Sequence, residues 1–258
     1  MKTAKLRFSL MSSAEQNAKL SKNETRSAYL ALMPHKGAST KANPINVCPH
    51  ASPSCPIECV AFAGRGRSPN VTKARIRKTR FFARNRRAFL DALRADLNMF
   101  ANSGGGLVRL NAYSDLPWEK WIDLGAFRGI EFYDYTKDAR RALRNAQEAP
   151  ANFSLCYSVS ESTRPGVAAE ILRAGGSVAV VIDCPRNAPK PTRWEIDGES
   201  FPAIDGDADD DRRRSKCGGR VVLLAWKGSN AGKAEALAAG FCKSTPTSLT
   251  VSAKGGSR

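Results

Sequence analysis

Three cysteines, Cys48, Cys55 and Cys59, fall within twelve residues of the stretch VCPHASPSCPIECVAFAGRGR. Thiolates are soft ligands that suit zinc or iron–sulfur clusters. The chain carries seven cysteines, an odd number, and starts MKTAKLRFSLMSSAEQNAKL, which lacks the apolar core of a signal peptide. The expectation is a cytoplasmic protein, a setting in which clustered cysteines bind metal more often than they form disulfides. A structural zinc site wants four ligands, often as two close pairs. The loop offers three cysteines and His50, while His35 stands apart in sequence and no second close pair exists. An iron–sulfur cluster is held by thiolates too, usually four, so three leave one iron for a distant cysteine, an exchangeable ligand or a substrate. Pro49, Pro53 and Pro56 keep the loop irregular, and Gly64 and Gly66 permit close backbone approach. An iron–sulfur site is therefore expected, with Cys3His zinc as the competing expectation.

Elements must position this loop. After a turn-rich start, in which RSAYLALMP reads as a short edge strand, the clearest helix spans residues 71–100. Phe82, Phe89, Leu93, Leu97 and Phe100 recur there at helical spacing. Arginines and lysines cover its other faces, and no acidic residue occurs from 60 to 90. Beyond it GLVRLNAYSD, GIEFYDYTK, NFSLCYSVSES, GSVAVVIDC, FPAIDGD and RVVLLAWKG read as strands. PWEKWIDLGAF, KDARRALRNAQ and RPGVAAEILRAG read as helices between most of them. Alternation of this kind predicts βαβ units and a parallel sheet. The fold class expected is α/β, a partial (β/α) barrel of about six parallel strands with an N-terminal cluster-binding loop; a doubly wound sheet competes. One domain is expected over 1–245, with the cysteine loop at 47–67, strand–helix repeats at 106–228 and a flexible tail at 246–258.

Ligand chemistry in parallel α/β folds gathers at the carboxyl ends of the strands. The polar residues there are Ser114, Asp115, Tyr133, Asp134, Lys137, Ser158, Ser160, Glu161, Asp183, Asp205, Asp207 and Lys227. About half are expected to cap helices instead, Asp115 first among them. The tract IDGDADDDRRRSK lacks the spacing of a calcium loop and reads as a surface turn with internal ion pairs to Arg212, Arg213 and Arg214. The net charge of +17 attracts polyanions, which makes nucleic acid a candidate partner through Arg75, Arg77, Lys78, Arg80 and Arg84.

Taken in order, NVCPHASPSCPIECVAFAGRGR, RLNAYSDLPWE, FYDYTK, NFSLCYSVSES and AIDGDADDDR…VVLLAWKG resemble the phage gene product 88 family over about residues 6–228. That layout in turn resembles radical SAM enzymes. The resemblance implies Cys48, Cys55 and Cys59 as ligands of a [4Fe-4S] cluster whose open iron chelates S-adenosylmethionine. It also implies a reductant and the cytoplasm of the host cell; Tyr133, Asp134 and Lys137, where aromatic, acidic and basic groups converge, are the candidates for substrate or cofactor contact. The spacing here is C-x6-C-x3-C, against C-x3-C-x2-C in those enzymes, and no glycine-rich cofactor strand is evident. A fourth cysteine, Cys242 or Cys156, would turn the cluster toward electron transfer or structure. Two further expectations compete: a non-catalytic nucleic-acid-binding iron–sulfur protein, and a structural zinc module on an α/β domain. No window approaches the roughly 20 apolar residues of a membrane span, so no membrane association is expected.

Overall fold

The structure is a computed structural model and describes residues 7–13, 25–57, 59–62, 64–185 and 187–245. The expected tail at 246–258 lies outside the described residues. Ten strands form one sheet: β1 (Ser12–Ser13), β2 (Ser27–Tyr29), β3 (Gly106–Arg109), β4 (Ile130–Thr136), β5 (Phe153–Ser158), β6 (Ser177–Asp183), β7 (Arg193–Ile196), β8 (Glu199–Asp205), β9 (Val221–Ala225) and β10 (Cys242–Ser244). The order is β1-β2-β3-β4-β5-β6-β9-β8-β7, with β10 pairing along β6. Every pairing is parallel except β1 with β2 and β7 with β8. The fold is thus mixed α/β with a mostly parallel sheet that does not close. From β2 to β6 the strands follow chain order, without the central reversal of a doubly wound sheet.

The six strands read from the sequence are β3, β4, β5, β6, β8 and β9. RSAYLALMP contains β2, but β1 lies outside it, so β2 is not an edge. The helix expected over 71–100 is two helices, α1 (Pro69–Arg84) and α2 (Arg86–Asn102). Asn85 breaks them: its backbone leaves the helical region at φ −141°, and its side chain accepts the Ala88 N–H to cap α2. PWEKWIDLGAF forms two short 3₁₀ turns: Trp118–Lys120, entered from Pro117, and Leu124–Ala126, capped by an Asp123 side chain that accepts the Gly125 N–H. Two expected helices form as α3 (Ala139–Glu148) and α4 (Val167–Arg173), followed by α5 (Arg214–Cys217) and α6 (Asn230–Ala239). The glycine run 104–106 delivers the chain into β3. Gly105 sits at φ +63°, and a Cβ there would lie 2.0 Å from the Gly129 carbonyl oxygen, so only glycine fits.

Alternation along the strands divides the sheet into two faces. On one, Val108, Phe132, Leu155, Val178, Val180, Val221 and Leu223 pack with apolar residues of α1 to α4, among them Phe82, Phe89, Leu93, Ala142, Ile171 and Leu172. Full burial of each large side chain contributes about 1.5–3 kcal/mol, so this face supplies most of the cohesion. The opposite face presents Leu107, Arg109, Tyr133, Tyr135, Ser154, Cys156, Ala179 and Val222. No long helix covers it among the described residues; the segment 205–217 does.

Candidate functional site

The carboxyl ends of β3 to β5 gather much of the polar set expected there, mostly as structure. Asn111, just past β3, is the hub. Its Oδ1 accepts from Ser114 Oγ at 2.8 Å, the Leu116 N–H at 2.9 Å and the Trp118 indole at 3.0 Å. Its own N–H donates to Asp134 Oδ1 at 2.9 Å. Burial pushes the Asp134 carboxyl up to about 7, against the pull of Arg109 and the Asn111 N–H. Asp115 does not cap a helix as expected. It accepts the Lys137 N–H at 2.9 Å and Arg141 Nη1 at 3.0 Å, while Arg141 also clamps Glu119 at 2.7 and 2.8 Å. Tyr133 and Asp134 project to opposite faces of β4, and both are buried. The convergence of Tyr133, Asp134 and Lys137 on one ligand is therefore not found; Lys137 alone of the three stands half-buried at the rim.

Around Lys137 lie Ser158, whose Oγ is 3.3 Å from its ammonium, and the Phe241 ring, 4.9 Å away at the centroid. Glu161 accepts the Ser54 N–H at 2.7 Å. Burial opposes its ionisation, but hydrogen bonds from the Ser54 and Glu161 backbone and from Ser52 and Ser54 hold it below the usual carboxylate range. Ser160 is buried and closes its own turn, its Oγ accepting the Ser162 N–H. Asp205, Asp207 and Lys227 make an ion-pair cluster at the ends of β8 and β9. Lys190 reaches Asp205 at 2.7 Å and Asp207 at 3.3 Å, and Lys227 reaches Asp207 at 2.7 Å. Asp183 pairs with Lys233 of α6 at 2.9 Å.

The cysteine loop does reach the strand ends, since the Asp115 N–H donates to the Val47 carbonyl at 2.8 Å. Cys48 Sγ accepts the His35 N–H at 3.2 Å. Burial, with the nearby Cys55 and Cys59 thiols adding to it, pushes Cys48 up to about 12 despite that hydrogen bond. Burial likewise raises Cys55 and Cys59. The three thiols are close enough to influence one another, yet among the described residues no three His, Cys, Asp or Glu side chains are arranged to hold a metal ion. That arrangement overturns the iron–sulfur reading, and with it the SAM chemistry and zinc module built on the same ligands. His50 faces Asp138 at 3.4 Å. Cys156 is buried on the helix-free face beside Cys217, and Cys242 is buried in β10.

The acid–arginine tract is not simply a surface turn: Asp207, Asp210, Asp211 and Arg212 are buried, while Asp205, Ala208, Ser215 and Lys216 are exposed. Its internal pairs form, Arg213 with Asp211 at 2.7 Å and Arg212 with Asp209 at 3.6 Å. Arg212, however, is 1% exposed and Asp210 0%. Arg212 donates to Tyr135 Oη and the Gly206 carbonyl, both at 2.6 Å, and to the Asp211 and Asp209 carbonyls at 2.9 and 3.0 Å. Arg109 of β3 meets Asp210 at 2.8 Å, and Arg214 donates its N–H to Ser154 Oγ at 2.9 Å and a guanidinium N–H to the Asn145 carbonyl. The sheet face presents polar groups that must find partners when buried, and this tract supplies them.

The remaining cluster is on α1. Lys73, Arg77, Arg80 and Arg84, at i, i+4, i+7 and i+11, line an open groove of about 610 Å³ with Ile76 and Phe81. Lys73, Arg77 and Arg84 are exposed, and among the described residues no carboxylate pairs with any of the four. Arg75 and Lys78, expected on this face, turn away from it. Arg75 is 5% exposed, donates to the Ala61 carbonyl at 2.7 Å and stacks on Tyr113. Lys78 donates to the Leu10 carbonyl at 2.8 Å, and burial lowers it to about 8.

The model of a known family, gene product 88, matches the chain over residues 9–245, a span that holds the cysteine loop, basic helix, strand–helix repeats and acid–arginine tract. The chain belongs to the gene product 88 family. The gene product 88 match bears out the resemblance in the sequence and extends past β9 through β10; a radical-SAM layout is no part of it. No curated protein and no solved structure matches this family member. Among the described residues no helix is long and apolar enough to cross a membrane.

Proposed function

We propose that this gene product 88 member binds nucleic acid through the exposed basic face of α1. The observation that carries the reading is the stripe Lys73, Arg77, Arg80 and Arg84 beside a groove, with no carboxylate partner among the described residues. Eleven residues of helix span about 16 Å, a length that runs past about five phosphates of one strand. Ile76 and Phe81 in the groove wall offer an apolar surface to sugar or base. The charge of +17 adds long-range attraction. The wider architecture is read as an opened (β/α) barrel wall, supported by α1 to α4 on one face and the segment 205–217 filling the other.

Fluorescence anisotropy with a labelled duplex and a labelled single strand tests the assignment. Four phosphate contacts give a log–log salt slope near −3.6 for duplex, so affinity should fall about a hundredfold between 50 and 200 mM salt. The combined Arg77→Glu and Arg84→Glu variant, at two exposed positions, should lose binding while its thermal unfolding stays unchanged; Arg80, which donates to the Ala38 carbonyl at 3.2 Å, is left in place. Undiminished affinity in that folded variant would remove this face from consideration.

A further inference from the structure

The helix-free face ends, at the carboxyl edge of the sheet, on an amine. By alternation Lys137 continues the row Tyr133, Tyr135 on β4, and Ser158 continues Ser154, Cys156 on β5. Beneath this rim the face is closed by Tyr135, Arg109 and Arg212. Other lysines that reach the strand ends are neutralised: Lys190 and Lys227 by Asp207, Lys233 of α6 by Asp183. Lys137 differs. Among the described residues no carboxylate stands at ion-pair distance from it. Its contacts are the Ser158 carbonyl and hydroxyl at 3.4 and 3.3 Å and the Phe241 ring at 4.9 Å. Glu161, Asp115 and Cys55 surround it at longer range.

We propose that Lys137 is a nucleophile that forms an imine with a small aldehyde or ketone at the carboxyl edge of β4 and β5. The cluster of groups fits the step. Burial lowers the ammonium's pKa, and although Cys55, Glu161 and Asp115 oppose it, the direction remains down, which raises the free-amine fraction. The lone pair of Nζ attacks the carbonyl carbon and a C–N bond forms. The two N–H protons pass to the carbonyl oxygen, relayed by Ser158 Oγ; the C–O bond breaks, that oxygen leaves as water, and the C=N nitrogen takes one proton from solvent to give the protonated imine. No oxidant or reductant is consumed. Glu161 and Asp115 stabilise the protonated imine by charge, and Phe241 shields one side of the amine from water.

Full-length protein is incubated separately with pyruvate and with glycolaldehyde in the presence of cyanoborohydride, which reduces an imine to a stable secondary amine. Peptide mapping by mass spectrometry then follows each lysine with time. Lys137 should be labelled at least about tenfold faster than the exposed lysines as a group, reflecting desolvation and local placement. A Lys137→Arg variant should lose that fast phase and retain the slow one. Labelling of Lys137 at or below the rate of exposed lysines with both probes overturns the proposal, whatever the variant does.

Discussion

The two faces of the sheet are buried by opposite means. One is sealed by Phe82, Phe89, Leu93, Leu97 and Phe100 of α1 and α2, continued by the alanines and leucines of α3 and α4. The other is sealed by a charged strap in which Arg212, Asp210 and Arg109 meet Tyr133 and Tyr135. An apolar face tolerates approximate packing, because its attraction is non-directional. A buried ionic face tolerates none, because each charge left without its partner keeps the full desolvation cost. The first holds the fold together; the second fixes where one segment of it must lie.

Arg212→Met is the harshest test of that contrast. It leaves the Tyr135 hydroxyl and three carbonyls without their arginine donor, and should cost about 3–5 kcal/mol of stability in urea unfolding. Adding Asp210→Leu should deepen the loss, because it strands the Arg109 guanidinium, but by less than Asp210→Leu costs alone, since both changes act on one network. Full additivity of the two changes would contradict a shared network. Leu93→Ala, on the apolar face, should cost about 3 kcal/mol, through lost transfer energy and a cavity.

Titration separates the faces further. The Asp134 carboxyl is raised to about 7 in the folded chain against 3.8 in the unfolded one, so the native state holds the extra proton between those values. Stability from this group is present below about pH 4 and is lost as pH rises through 7. Asp134→Asn should flatten that part of the stability profile, measured as urea midpoints from pH 5 to 8; an unchanged slope would assign the titration elsewhere. The smallest effect belongs to the junction of α1 and α2. Asn85→Ala removes the cap on Ala88 and should cost about 1 kcal/mol.

Much of the apolar face was legible in the sequence. Strand alternation and the Phe82–Phe89–Leu93–Leu97 spacing are local patterns, and each became a real element. The junction at Asn85 escaped because apolar periodicity runs straight through it, and only the cap shows the break. The strap escaped for a different reason. A run such as DADDDRRRSK reads as solvated, and its burial depends on Arg109, Tyr133 and Tyr135, some eighty to a hundred positions earlier. Asn111 was missed because a single asparagine between apolar residues gives no sign that four groups will converge on it. The cysteine spacing misled because three thiols close in sequence need not converge as metal ligands, and loop geometry is what decides that.

The bond between Arg109 and Asp210 joins residues 101 positions apart. During synthesis at about 5–20 residues per second, Arg109 waits about 5–20 s before its partner has even been made. Throughout that interval β3 and β4 carry tyrosines and a cation on a surface with nothing to cover it. The nascent chain is therefore most open to mispairing and to chaperone capture over this stretch, and the last third of the polypeptide acts as the bolt that ends the exposure.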